Sequence, residues 1–375
     1  MRNVAIARGS STISRTTGGR TTGGRTTGVR GVPGWRIGAG AITAGLLLVG
    51  GAACSSASSS PAAASSPAAS GTPSASTVNV SDVTLNIGDQ AGSGAESLLT
   101  AAGLIDKLPF KAHWSDFTSG PPMLQAMGAG SVDIGSVGDA PPVFAAAGNS
   151  PVAVVSALQA NPLGSVLLVP QNSPIHTVAE LRGKTIAVAQ GSSANYHLLA
   201  VLTKTGLTIK DVTPDYLQPA EAQAAFSAGH VAAWDVWSPF VEQAEGQYHA
   251  RPLVNGSGIG LTYSFVVASR SALNDPAKAA AIHDYLQLID QAYAWARSHE
   301  SAWASSWAQA TGLPASVMQQ AVKDSLATPV PITPTVIGSE QQIANAFTGA
   351  GLIPSTIKFS NFAVSTYNSI LGGSS

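Results

Sequence analysis

An α/β fold in two lobes is predicted by three observations on the 375-residue sequence. From Val78 onward, strand-patterned runs alternate with helix-patterned runs, as in α/β lobes built on mostly parallel sheets. The length exceeds what one hydrophobic core usually organises. The stretch Gly130-Ser-Val-Asp-Ile-Gly-Ser-Val-Gly-Asp-Ala-Pro-Pro is echoed about 99 residues later by Gly229-His-Val-Ala-Ala-Trp-Asp-Val-Trp-Ser-Pro-Phe. Two similar units in one chain suggest two lobes whose equivalent loops face each other across a cleft.

Charge is segregated along the chain. Seven arginines and no acid precede Cys54, which leaves 12 Lys+Arg against 20 Asp+Glu after it, a net 12 − 20 = −8. An acidic body has no basic face to neutralise phosphates, so no nucleic-acid partner is expected. The single cysteine excludes a disulfide framework and any thiolate metal cluster. The seven histidines show no paired metal spacing, no His-Glu-x-x-His and no phosphate loop, so neither metal, cofactor nor catalysis is expected.

Residues 1–54 read as a leader. Arg36 precedes a small, apolar run centred on Leu46-Leu-Leu-Val, shorter than the roughly 20 residues a membrane-spanning helix needs. Cys54 follows Gly51-Ala-Ala, which resembles a lipoprotein box and implies lipidation of Cys54; Gly51 stands where a leucine-like residue is usual. The Arg-Thr-Thr-Gly-Gly repeat upstream is too long for an ordinary leader, and the expected translation start lies at Val29 or Val32. Residues 55–77, all Ser, Ala, Pro, Gly and Thr, form a flexible tether, so the folded part is expected outside the cytoplasmic membrane, anchored through lipid.

The folded part starts with a strand over 78–88, the loop 89–94 and a helix carrying Leu98, Leu99, Ala102 and Ile105. A strand at 112–117 leads through a Ser119-Gly120-Pro121 turn into a helix with Met123, Leu124 and Met127. Val132 and Ile134 begin the next strand, and Gly135 to Gly138 make a permissive loop. Asp139 is a good N-cap, and Pro141 and Pro142 fall in the first helical turn, where a missing N–H costs little. Backbone N–H groups at such a strand-to-helix junction point outward and suit an anion. Buried strands follow at 152–158 and 165–170, then a capping box at Thr177 and Glu180, and a strand over 184–190. Gly191-Ser192-Ser193 opens a helix ending near Gly206. A strand at 213–217, a helix begun by Pro219, and the second copy of the repeated unit come next. A return strand over 260–268 precedes a long helix from Pro276 and helices near 301–310, 314–326 and 339–347. Their Trp303 and Trp307 are at core spacing.

Five motifs resemble one family. They are residues 131–142, Asn172-Ser-Pro-Ile-His-Thr-Val-Ala-Glu-Leu-Arg-Gly, Gln190-Gly-Ser-Ser, Pro219-Ala-Glu-Ala-Gln-Ala-Ala-Phe and Ala233-Trp-Asp-Val-Trp-Ser-Pro. In order across residues 80–357 they are similar to the aliphatic-sulfonate-binding proteins of ABC importers. The resemblance implies a two-lobed type II periplasmic-binding-protein-like fold with a hinge, lobe I being 78–166 and 268–375 and lobe II 167–267. It implies a monomer that closes on a small anionic organosulfur ligand and is read by a permease with its ATPase. Relatives bind taurine, nitrate or heterocycles of the thiamine type, and a sensing lipoprotein without a transporter is the other class of reading. An enzyme of this fold uses a cysteine-rich motif, which a chain with Cys54 alone lacks.

Carried over by motif, the expected ligand-binding residues are Gln90, Ser119, Gly120, Ser136, Val137, Gly138, Asp139, Gly191, Ser192, Ser193, Trp234, Asp235, Trp237 and Ser264, with Tyr263 a weaker candidate. Their shared chemistry is N–H and hydroxyl donors at helix N-termini, plus an aromatic wall for an organic tail. Asp139 reads as a helix cap ahead of a direct contact. Of Trp234 and Trp237, three apart, one is expected in the cleft and the other in the core. An inward Asp235 would favour a ligand that also carries an amine or hydroxyl. The family often has an acid where this chain has Ser238.

Overall fold

A computed structural model describes residues 78–90, 94–260 and 263–371. The leader, Cys54 and the tether lie outside the described residues, as does part of the 89–94 loop.

The chain first forms β1 (Thr84–Gln90), α1 (Ala95–Ala101), β2 (Lys111–Phe117), α2 (Gly120–Gly128), β3 (Ile134–Val137), α3 (Ala140–Ala147) and β4 (Val152–Gln159). It then makes β5 (Ser165–Pro170), β6 (Thr185–Val188), α4 (Ser193–Lys204), β7 (Thr213–Tyr216), α5 (Pro219–Ser227), β8 (Ala233–Trp237), α6 (Phe240–Tyr248) and β9 (Ala250–Asn255). It returns through β10 (Tyr263–Ser269), α7 (Arg270–Asn274), α8 (Pro276–Ala296), α9 (Glu300–Thr311), α10 (Ala315–Ser325), β11 (Thr328–Val330) and α11 (Pro334–Gly349).

Two sheets result, ordered β11-β4-β10-β3-β1-β2 and β7-β6-β8-β5-β9. Both are mixed, where mostly parallel pairing was expected: β5 runs antiparallel to β8 and β9, and β10 antiparallel to β3 and β4. The reason is directional. β1, β3 and β8 end at the cleft, whereas β5 and β10 arrive from the other lobe, start at the cleft and run away from it. Lobe boundaries were expected at 166/167 and 267/268, inside β5 and β10. By sheet membership β4 ends the first sheet's run at Gln159 and β5 opens the second sheet at Ser165, while β9 ends it at Asn255 and β10 rejoins the first from Tyr263.

The sequence echo is a structural one. Ile87 of β1 pairs with Ile134 of β3, and Ile186 of β6 with Ala233 of β8, each residue 99 positions on from its counterpart. α5 likewise spans α2 displaced by the same interval.

Burial explains the assembly. Leu98, Ile282, Leu286, Trp303 and Trp307 cover one face of the first sheet through α1, α8 and α9, and the two tryptophans stack with ring centroids 5.6 Å apart. Phe226, Val241 and Ala244 of α5 and α6 cover one face of the second. The other faces share a core in which α3, α4 and α11 bring Val143, Leu198 and Phe347 together, so apolar burial itself holds the lobes to one another. Thr177 with Glu180 makes the expected capping box, though on a single 3-10 turn, and α11 starts earlier than expected because Thr333 caps it before Pro334. The edge strands β9 and β11 were not singled out in the sequence; both are short and contain proline, a pattern suited to an edge.

Candidate functional site

A cleft of about 1000 Å³, counting solvent at its mouth, opens where strands of both sheets end or begin. Three helix N-termini line it. α2 contributes Gly120, the β3–α3 junction Ser136 to Asp139 and Pro141, and α4 Ser192 and Ser193. Its remaining wall comes from Gln90, Leu158, residues 160–162, Gly164, Ser165, Trp237, Ser238, Tyr263, Ser264, Tyr293, Asp324, Ser325 and Ala327. Among the described residues no lysine, arginine or histidine lines it. Any anion held here is held by N–H and hydroxyl dipoles.

The polar corner is close-built. Gln90 Nε2 donates to the Ser136 carbonyl at 2.8 Å and fixes the loop from below. Ser192 caps α4, accepting from Asn195 N–H at 3.3 Å and donating to the Ala189 carbonyl at 2.6 Å. Gly138 approaches Ser193 so tightly that a Cβ there would overlap Ser193 Oγ; the absent side chain is what lets the two lobes meet at this point. Asp139 caps α3 through the Ala140 N–H at 2.7 Å, with helical dihedrals of its own. Its Oδ2 has no well-formed hydrogen bond, and burial pushes the carboxyl up to about 6 against the pull of Ser193 and the Ala140 N–H.

Ten expected residues line the cleft: Gln90, Gly120, Ser136, Val137, Gly138, Asp139, Ser192, Ser193, Trp237 and Ser264. Four do not. Ser119 is fully buried at the start of α2, and its hydroxyl donates to Gln218 Oε1 at 2.8 Å, as Thr118 does at 3.0 Å. Ser119 and Gln218 are 99 residues apart, so the bond joins equivalent helix starts of the two lobes. Gly191, at φ +71°, lies against the Phe144 ring rather than the cleft. Trp234 is 1% exposed and packs on Phe226 and Phe240.

Asp235 is the main correction. It is fully buried, with both carboxylate oxygens 2.9 Å from His197 Nδ1 on α4. Strand alternation turns Asp235 away from Trp234, but at its depth in β8 that face is covered by α4. Burial pulls the His197 ring down, yet the Asp235 charge and hydrogen bond outweigh it and leave the imidazole raised. Trp237, two residues on, shares that face but sits at the strand's end and reaches the cleft.

Sequence reasoning missed Asn161, Ser165, Tyr293, Asp324 and Ser325 as lining. Tyr293 sits on α8 at core spacing and packs edge-on to Trp303 at 6.1 Å, which hides it among core residues. Among the described residues no group of three or more His, Cys, Asp or Glu could hold a metal, and no helix is long and apolar enough to cross a membrane.

Residues 107–308 match the family described as ABC transporter, phosphonate, periplasmic substrate-binding protein. A relative from Escherichia coli (strain K12), named for binding aliphatic sulfonates, is 36% identical over 280 residues, which are 74% of this chain and 87% of the relative. The solved alkanesulfonate-binding protein SsuA from Xanthomonas axonopodis pv. citri, bound to MOPS, superposes with a TM-score of 0.72 at 34% identity, over 76% of this chain and 99% of that one. The periplasmic aliphatic sulphonate binding protein SsuA from Escherichia coli gives 0.67 at 35% identity, over 74% and 91%. With the type II two-lobed fold and a dipole-lined cleft in place, this chain belongs to the aliphatic-sulfonate-binding family of periplasmic substrate-binding components of ABC transporters, which bind and do not catalyse.

Proposed function

We propose that this protein captures aliphatic sulfonates outside the cytoplasmic membrane by closing its lobes, and passes them to an ABC permease driven by its ATPase. Lipidated Cys54 and the 55–77 tether would hold it beside that permease. The observation that carries the reading is the donor set. Three helix N-termini converge on one corner, and among the described residues that line it there is no cation. A sulfonate spreads one negative charge over three oxygens and has no proton to give, so several weak N–H and O–H donors match it. Trp237 and Leu158 then offer apolar surface to the carbon chain. The likeness to sulfonate-binding relatives over most of their length supports the same class.

Calorimetric titration with alkanesulfonates, methylphosphonate, nitrate and a thiamine-type heterocycle tests it. Binding of alkanesulfonates in the ~micromolar range, roughly −8 kcal/mol, with the others at least about tenfold weaker is expected. A heat signal only from nitrate, the phosphonate or the heterocycle would end the sulfonate reading.

A further inference from the structure

Ser119 is the N-cap residue of α2, yet its side chain does not cap the helix. An N-cap side chain accepts from the N–H of the second or third helical residue. Here those residues are Pro121 and Pro122, which have none. The hydroxyl instead donates across the seam to Gln218 Oε1 at 2.8 Å, and Thr118 donates to the same oxygen at 3.0 Å. Gln218 is itself the N-cap residue of α5, its backbone N–H held by Glu221 Oε2 at 3.2 Å. One amide oxygen of the second lobe thus collects two hydroxyls of the first. Thr118, Ser119 and Gln218 all lie outside the cleft lining, so these bonds serve something other than ligand contact.

Their place in the sheets says what. The chain crosses between lobes from β4 to β5 and from β9 to β10. β2, which leads into Thr118, is an edge strand three places from β10. β7, which leads into Gln218, is an edge strand three places from β5. At about 4.8 Å per place, the bonds stand roughly 14 Å from the strands that carry the hinge. A hinge rotation of about 10° parts the two edges by roughly 2.5 Å at that distance, which breaks a hydrogen bond. The approach of Gly138 to Ser193 follows β3 and β6, one and two places from the same strands, and has the shorter lever.

We propose that Gln218, with Ser119 and Thr118, is a latch at the edge of the cleft farthest from the hinge, which sets how long a captured ligand stays without touching it. The proposal rests on capture by lobe closure and not on which anion is captured. Gln218 is a positioning residue: it acts through Ser119 on Gly120, the next residue, which does line the cleft. Neutral hydroxyl-to-amide bonds are each of modest net worth, so the latch tunes the exit rate and does not lock the lobes.

Stopped-flow tryptophan fluorescence of the full processed chain with 1-propanesulfonate tests this, Trp237 in the cleft wall being the reporter. Gln218→Met keeps the length of the side chain and removes the acceptor. The dissociation rate should rise about tenfold, with the association rate within about twofold. Ser119→Ala should raise dissociation about threefold, and the double variant no further than Gln218→Met alone, because the two residues share the bond. Gln218→Glu, which keeps an acceptor oxygen at the same reach, should stay within about twofold of the unsubstituted protein. Thermal unfolding without ligand should be the same in all of them, since open lobes do not make the bonds. An unchanged dissociation rate in Gln218→Met, factors that multiply in the double variant, or a loss of unliganded stability that matches the loss of affinity overturns the latch and leaves the sulfonate reading intact. Methylphosphonate and nitrate are run as further probes. Binding of one of these in place of the sulfonate overturns the sulfonate reading, and the same factors then judge the latch. Binding of none of the three overturns both.

Discussion

The strand–loop–helix after Ile134 and the one after Ala233 occupy the same place in their sheets. Each strand lies between a parallel first strand and an antiparallel strand arriving from the other lobe. Their residues, 99 positions apart, do opposite work. Ser136 lines the cleft where Asp235 is buried on His197; Gly138 is bare where Trp237 presents a ring; Asp139 caps α3 where Ser238 bonds a glutamate one turn on. One scaffold thus yields a corner of backbone dipoles in the first lobe and an aromatic, acid-backed wall in the second. A loop that shows its backbone needs small residues. A loop that shows an aromatic needs that ring braced, and Trp237 is braced edge-on by Phe240 at 6.0 Å, with Trp234 packed beneath.

The largest expected effect separates Ser136 from its counterpart. Asp235→Ala leaves His197 without its partner at a site where both side chains are 0% exposed. Breaking a buried pair by removing one member costs about 3–5 kcal/mol, most of it the penalty on the group left behind. Ser136→Ala should change stability by less than about 1 kcal/mol, since the loop's bond to Gln90 uses the Ser136 carbonyl, not its hydroxyl. Urea unfolding of both variants measures the difference. Equal losses would mean that the two positions are not divided between stability and lining.

Gly138 against Trp237 comes next. Gly138→Ala puts a methyl where Ser193 Oγ lies, and the contact is with another lobe, so separation of the lobes relieves it more readily than local repacking does. Ligand affinity should fall about 100-fold, near 2.7 kcal/mol, with thermal stability little altered. Adding Ser193→Gly removes both atoms that crowd the new methyl and should recover part of the affinity, short of the share that the Ser193 hydroxyl supplies as a cleft donor. Unaltered affinity in Gly138→Ala would show that the two lobes do not need this close approach to bind.

How far the sequence revealed this follows from what kind of signal each residue leaves. The dipole corner was legible because strand, glycine loop and capped helix are all local patterns, and the family's motifs carried Ser136, Gly138, Ser192 and Ser193 onto them as lining. The repeat was legible as a constant interval and proved to be a constant strand pairing. The split between Trp234 and Trp237 was legible from spacing. Asp235 was not, because alternation gives the face of β8 and only the depth of α4 over that face decides between cleft and core. Asp324, Tyr293 and Asn161 come from helices and a crossing segment far along the chain; nothing local marks a helix end as facing a cleft built by other strands. The mixed sheets were hidden for the same reason, since strand direction depends on which lobe the chain has just left.

Acidity offers the finest comparison of the two loops. Asp139 is raised from 3.8 to about 6 mainly by burial, and Glu242, behind Ser238 in the other lobe, from 4.5 to about 7, again mainly by burial. A carboxyl raised on folding keeps a proton that the unfolded chain gives up, so its contribution is full below the unfolded value and is lost as pH rises to the folded one. For Asp139 the loss runs from about pH 4 to about 6 and approaches about 3 kcal/mol. For Glu242 it begins near pH 4.5 and continues to about 7. The amide introduced by Asp139→Asn cannot titrate. The stability of that variant relative to the unsubstituted protein should therefore climb between pH 4 and 6 and then level, whereas that of Glu242→Gln should keep climbing to pH 7. Urea unfolding at unit pH intervals resolves the two windows. Curves that stay parallel to the unsubstituted protein's would mean that neither carboxyl carries its proton into the fold, and that the acid behind each loop is solvated there as it is in the open chain.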